Sequence, residues 1–479
     1  MRSYLSPLDA ALLEIEEADG AAHMQIGCAM VFDPVPDGKR PSLERLRERV
    51  RVRLGEKSIL RRRLSMPRVD QFSLPVWLPD PDFDIGQLVR RATLPEPGGE
   101  GELTDWLGDY FSHRLDRARP LWEVTVLEGL EGNRWALVFK IHHCLIDGIS
   151  GAMLAAALLD VEPEPEETKA PLEEMASLVG EDSERGVLTQ RRGAVGEAAG
   201  GGIDGPIHPR RVASILSQSR RMAETLAAEE LMPTPQTSLN RPIGASRRVA
   251  TVELPSEDLV RVQQELGGSV DGVIFAAVAG GLRRLFESRG EKVGRILSME
   301  PVGLRLRHAS ESLARGNRVS ALFLDLDLAE PDPRRRYRRI SAAASTLNEG
   351  NVEERPPGPI RFAGLAPPLV QSVIARLAYM PGLFNLTINN LPSSPITLYS
   401  LGATMRRTFP VTPICSGYAV SVAVTEYKGK TTFGLNADRD SVTDLEVLQG
   451  GIEDAFAELR DLCVPVDARD LVSEPGLRS

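Results

Sequence analysis

Between residues 160 and 184 the chain carries ten acidic residues against one lysine, with Pro163, Pro165 and Pro171 among them. A glycine-rich stretch follows at 193–205. Neither composition buries enough apolar surface to offset the entropy of ordering it, so no packed core is expected to run through this segment. The chain must then fold as two units on either side of it. Its 479 residues suffice for that, since single cores stop growing at about 250–300 residues. The expected division is a first lobe at 1–160, a crossover segment at 161–245 and a second lobe at 246–479.

Apolar residues at 42% and charged residues at 26% exclude a chain that is disordered throughout. A net charge of -10 argues against nucleic acid as a partner, because phosphate binding draws on a basic surface. Cys28, Cys144, Cys415 and Cys463 are far apart, with no CxxC pair, so neither a zinc site nor a disulfide framework is expected and a reducing cytoplasm fits. The first 25 residues carry acids inside their apolar part, unlike a secretory signal. The longest strongly apolar uncharged stretch, 362–375, is interrupted by Pro367 and Pro368 and is too short for a bilayer span. Membrane contact would be peripheral, with 362–380 as the candidate surface.

Both lobes read as mixed α and β. The first lobe holds all four tryptophans. It predicts a helix after Pro7, a strand at 25–32, an Arg-rich amphipathic stretch at 43–53, a polar and Pro-rich passage at 75–81 and a helix at 102–114. Strands at 122–128 and 135–143 follow, joined by a glycine-containing turn. A basic amphipathic helix is expected at 209–231. The second lobe predicts helices at 270–286, 334–347 and 443–462. Its strands are expected at 247–255, 296–302, 320–328, 384–389, 403–410, 418–427 and 430–436.

Residues 141–151 read IHHCLIDGISG, placing His142-His143 ahead of Asp147-Gly148 in the pattern HHxxxDG. The chain has only six histidines, which makes the adjacent pair specific. Consecutive strand residues face opposite sides, so the two rings cannot easily share one metal ion, and no metal site is expected. One ring should face a cleft while the other packs. A neutral histidine suits general base work near neutral pH. Asp147 reads as a positioning carboxylate and Gly148 as the turn residue, with the base on the strand. No GxSxG elbow occurs, and Cys144 reads as a packed thiol.

These residues, with LSPLDA at 5–10, LDRARPLWE at 115–123, LNRPIG at 239–244, PVGLR at 301–305, NNLPSSP at 389–395 and FGLNADRD at 433–440, resemble the bacterial wax ester synthase/acyl-CoA:diacylglycerol acyltransferase family. That family is a branch of the HHxxxDG acyltransferases, which include chloramphenicol acetyltransferase and condensation domains. The resemblance covers nearly the whole chain. Two departures stand out: Asp271-Gly272 where the family usually has Asn-Asp, and no glycine in NNLPSSP where NVPGP is usual.

The resemblance implies two chloramphenicol-acetyltransferase-like, CoA-dependent acyltransferase lobes of mixed α/β fold, with a cleft or tunnel between them. It implies a long-chain acyl group passing from acyl-CoA, a co-substrate and not a resident cofactor, to diacylglycerol or a long-chain alcohol. His143 would be the base and His142 a structural partner, with no covalent intermediate. Pro120, Leu121 and Trp122 form the PLW motif and count as substrate-binding candidates. Asn389, Asn390 and Ser416 are candidate donors to the oxyanion. The expected location is cytoplasmic, at the inner face of the plasma membrane or on lipid droplets. Alternatives are another hydroxyl acceptor, of glycolipid or polyketide type, and a catalytically weak lipid-binding homologue.

Overall fold

A computed structural model describes residues 3–5, 7–36, 38, 40–54, 59–65, 75–145, 158–164, 234–303, 319–349, 384–391, 394 and 396–463. Asp147, Gly148, the predicted amphipathic helix at 209–231 and the candidate membrane surface at 362–380 lie outside the described residues, as does most of the crossover segment.

The first half folds into strands β1 (Ser3–Tyr4), β2 (Gln25–Phe32), β3 (Arg62–Ser65), β4 (Val76–Pro79), β5 (Val89–Thr93), β6 (Trp122–Leu130) and β7 (Arg134–His142). Its helices are α1 (Pro7–Ala18), α2 (Leu43–Leu54), α3 (Ile85–Leu88) and α4 (Glu100–Phe111). The second half adds β8 (Arg247–Pro255), α5 (Ser256–Leu266), α6 (Val270–Ser288), β9 (Arg295–Gly303), β10 (Val319–Asp327) and α7 (Pro333–Glu349). It closes with β11 (Leu386–Asn390), β12 (Tyr399–Ser400), β13 (Ala403–Val411), β14 (Val420–Tyr427), β15 (Lys430–Asp438) and α8 (Leu445–Asp461).

Two six-stranded sheets organise these elements, in the orders β12-β13-β2-β7-β6-β5 and β10-β9-β11-β14-β15-β8. The β6–β7 hairpin turns through Gly132 and Asn133, both in the left-handed region at φ 73° and 57°. Its strands are largely buried on both faces, as suits a sheet covered on both sides. In the second sheet β11 is parallel to both neighbours, β9 and β14. Behind it α6 packs on α8, and small residues permit a close approach. A Cβ built on Gly280 would lie 2.3 Å from the Ala455 methyl, and one on Gly281 2.6 Å from Ile452 Cγ1.

Two short features depart from expectation. The passage at 75–81 contains β4, which pairs with β1 and β3 in a small three-stranded sheet. β12 and β13 also leave the second lobe and complete the first sheet, β13 running antiparallel to β2 with Arg407 opposite Val31. Gly434 on β15 gives β13 room to pass, since a Cβ there would sit 1.8 Å from the Pro410 carbonyl oxygen.

The exchange runs both ways. Leu12, Ala22 and Met24 of the first half pack into the second-lobe core, while Leu398, Leu401, Ala403 and Met405 pack into that of the first. A third cluster joins the halves, with Leu103, Leu107 and Phe111 meeting Val249, Phe409 and Val411. Among the described residues no single helix is long and apolar enough to cross a membrane. The pair α5–α6 passes together by composition but bends by 102°, and α6 is largely buried in the core.

Candidate active site

β7 carries the histidine pair and ends at His142. His143 then turns out of the strand in a 3-10 turn, His143–Leu145. The strand was expected to reach 143; its early end removes the simple alternation of the two rings and replaces it with a corner. The cause is backbone bonding. The His142 N–H donates to the Leu121 carbonyl at 2.9 Å, and the His143 N–H donates to the Met24 carbonyl at 2.7 Å. Each histidine is thus pinned to a different neighbouring strand end.

The Leu121 carbonyl explains the PLW segment. Pro120, Leu121 and Trp122 are buried, and the Trp122 indole N–H donates to the Leu60 carbonyl at 2.7 Å. What they supply to the site is a fixed backbone beside His142.

His142 is 1% exposed. Its Nδ1 accepts the Cys144 N–H at 3.1 Å and therefore carries no proton; Nε2 holds the hydrogen and lies 2.6 Å from Glu16 Oε2. Glu16, on α1, is also buried and meets Arg117 at 3.1 Å and Arg114 at 3.3 Å. Burial alone would push its carboxyl up, but the His142 hydrogen bond and the Arg117 guanidinium win and hold it at about 2.

His143 is half-buried, and its Nδ1 is enclosed without a hydrogen-bond partner among the described residues. Burial pushes its pKa down to about 4, with the neighbouring His142 ring a lesser cause. The ring is therefore neutral near pH 7 and can accept a proton. Cys144 is buried, and burial raises its thiol well above the ordinary range, so it is not a thiolate nucleophile.

The candidate oxyanion donors are engaged elsewhere. The Asn389 amide donates to Thr412 Oγ1 at 3.0 Å and to Thr387 Oγ1 at 3.3 Å. Asn390 donates to Asp271 Oδ1 at 3.1 Å, beside Glu300, whose carboxyl burial pushes up to about 7, with the Asp271 charge adding to it. The Ser416 N–H donates to Asp19 Oδ2 at 3.1 Å, fastening the second lobe to the end of α1. Among the described residues no hydrogen bond joins any of these three to His143. A cleft of about 250 Å³ opens between α4 and β8, lined by Thr104, Asp105, Arg247, Arg248 and Arg439 among others, and it does not include the histidines. Among the described residues no group of three or more His, Cys, Asp or Glu side chains is placed to hold a metal ion.

Glu16, Arg114, Arg117 and the Met24 carbonyl were not anticipated from the sequence. One signal for Glu16 was present: at helical spacing it shares the buried face of α1 with Leu12 and Leu13, where a lone carboxylate requires a partner.

Residues 5–274 match the wax ester synthase/diacylglycerol acyltransferase catalytic domain, and residues 315–460 match the C-terminal domain of the same family. A Mycobacterium tuberculosis protein described as a probable diacylglycerol O-acyltransferase is 30% identical over 464 residues, covering 95% of this chain and 96% of its own length. The wax ester synthase/diacylglycerol acyltransferase from Marinobacter aquaeolei VT8 superposes with a TM-score of 0.68 at 22% identity, over 96% of this chain and 100% of that one. The starter condensation domain of rhizomide synthetase, solved with C8-CoA, superposes with a TM-score of 0.56 at 14% identity, over 97% of this chain and 95% of its own. The two-lobed acyltransferase fold, the histidine motif at the end of β7 and the match across both domains place this chain in the wax ester synthase/diacylglycerol acyltransferase family.

Proposed function

We propose that this protein transfers a long-chain acyl group from acyl-CoA to the free hydroxyl of diacylglycerol, and by the same chemistry to a long-chain alcohol, with His143 as general base. The observation that carries the reading is the placement of His143 just past the end of β7, its backbone fixed by the Met24 carbonyl, in surroundings whose burial pushes its pKa down to about 4. As the acceptor oxygen attacks the thioester carbon, its proton passes to His143. Collapse of the tetrahedral intermediate breaks the carbon–sulfur bond, and the imidazolium returns the proton to the departing CoA sulfur. No covalent acyl-enzyme is required. Asp147 would hold the turn and Gly148 would let it close.

Acyl-CoA enters as co-substrate. The C8-CoA complex of the rhizomide condensation domain supports this, since that domain shares the fold. Lipid substrates would call for peripheral contact with a membrane or lipid-droplet surface on the cytoplasmic side; sedimentation with vesicles at low and high salt tests that contact.

The direct test follows free CoA release with palmitoyl-CoA and either diacylglycerol or hexadecanol, in wild type and His143→Ala. Loss of a general base should lower kcat by about 100- to 10,000-fold. Equal rates for the two proteins would remove His143 from that role. Turnover with neither acceptor would overturn the lipid assignment.

A further inference from the structure

We propose that Glu16 is the positioning residue for the catalytic turn: its carboxylate fixes the tautomer of His142, and that ring holds the backbone which presents His143. The inference rests on the reading of His143 as base.

Three observations converge on it. The His142 ring is bonded at both nitrogens, to the Cys144 N–H on one side and to Glu16 on the other. Cys144 is the middle residue of the turn that begins at His143, so the ring props up the corner from inside. Glu16 is itself held by Arg117 and Arg114, residues of the segment between α4 and β6. The chain Arg117–Glu16–His142–Cys144 therefore links two elements of the first half to the turn carrying the base. In water imidazole exchanges freely between its two neutral tautomers. Moving the proton to Nδ1 would set two donors, that N–H and the Cys144 N–H, against each other. A buried carboxylate acceptor at Nε2 disfavours that state and leaves Nδ1 free to hold the turn.

Removing the carboxylate and removing only its charge have different consequences. In Glu16→Gln the amide oxygen can occupy the Oε2 position and still accept from His142. The amide nitrogen then faces Arg114, whose side chain is 35% exposed and can swing into solvent. In Glu16→Ala no acceptor is left. Both variants forfeit the ion pairs with the arginines, so both should lose thermal stability. Only the alanine variant should lose turnover: kcat falling about 10- to 100-fold, as is usual for partners that orient a functional histidine. The KM values for acyl-CoA and diacylglycerol should stay within about twofold of wild type, and Glu16→Gln should keep kcat within about threefold. Equal loss of kcat in the two variants would reduce Glu16 to a charge that stabilises the fold and would overturn the proposal.

The His143→Ala protein separates this proposal from the one beneath it. If that variant turns over like wild type, the base assignment fails. If it is inactive while Glu16→Ala keeps full kcat, only the positioning role fails. In the His143→Ala background, Glu16→Ala should lower the residual rate no further. Should Glu16→Ala fail to fold, the tautomer is readable in the unaltered protein by nitrogen–proton correlation spectra of histidine-labelled enzyme. His142 protonated at Nε2 and bare at Nδ1 is expected, and the opposite tautomer would overturn the proposal.

Discussion

His143 and His23 are rings that folding keeps from protonating. Burial pushes both down to about 4, with the Arg247 charge a second cause for His23. In the unfolded chain a histidine titrates near 6.5. Above that value both states hold the rings neutral and their contribution to stability is complete. As pH falls from 6.5 toward 4 the unfolded chain binds protons that the folded one refuses, and stability is lost. Thermal unfolding should therefore show a falling Tm across that window, with a second loss below about 4.5 as the Glu16 carboxylate, held at about 2, is forced to protonate. The activity profile should differ from that of a solvated histidine: kcat/KM should stay level from pH 7.5 to 6. A limb with an apparent pKa near 6.5 would place the base in water. The motif histidines were legible in the sequence because the pattern is local. Glu16 was not, since it reaches His142 across 126 positions. The amide and hydroxyl donors suggested for the oxyanion are polar groups in suitable segments, but folding commits them to Thr412, Asp271 and Asp19, and no sequence pattern shows which polar group has a neighbour.

Elements were readable where a long run carried one period. Most long strands and α6, α7 and α8 begin and end within a few residues of their expected bounds. The four-residue strands β3 and β4 and the five-residue β5 were missed, since so few positions cannot display a period and their stability comes from strand partners. How elements are tied together was also hidden. Asp160, the first acid of the acidic segment, turns out to be a buried clasp. Its carboxylate is fully covered and bonds Arg49 and Arg53 of α2, while its backbone exchanges hydrogen bonds with Tyr399 of β12 at 2.7 and 2.8 Å. One residue, through its side chain and its backbone, thereby joins a helix of the first half, the end of the motif lobe and a strand from the second half. Asp160→Asn would remove the negative charge that two guanidinium groups share in a site where their side chains are 8% and 3% exposed. Breaking a buried pair in this way costs about 3–5 kcal/mol, and urea unfolding should show it as a lower midpoint with an unchanged slope. A shift worth less than about 1 kcal/mol would mean that water reaches the arginines.

At the scale of the molecule, the acidic segment predicted two lobes, and the two large sheets agree with that count. Two strands from beyond residue 246, β12 and β13, nonetheless pair in the first sheet. β13 reads locally as one more strand of the second half; its partner β2 lies more than 370 positions away, and no local signal in either strand names the other. A second-half strand bordering β2 also means that the first half has no complete sheet alone, whereas the second sheet draws all six strands from the second half. Without β12 and β13 the first half would expose the full length of β2, an apolar edge open to aggregation, and would lose Leu398, Leu401, Ala403 and Met405 from its core. The second half would lose Leu12, Ala22 and Met24, and with α1 the anchor for Ser416. A protease site inserted at 193–205 tests this interdependence, because that glycine-rich stretch lies between the lobes in sequence. After cleavage the two pieces should elute as one particle, unfold in one transition and keep turning over acyl-CoA. The first piece expressed alone should show no cooperative unfolding, and adding the second during refolding should restore both the transition and the activity. Independent folding of residues 1–192 would show that β2 needs no partner beyond β7, and that the strand added from the second half is dispensable to the first sheet.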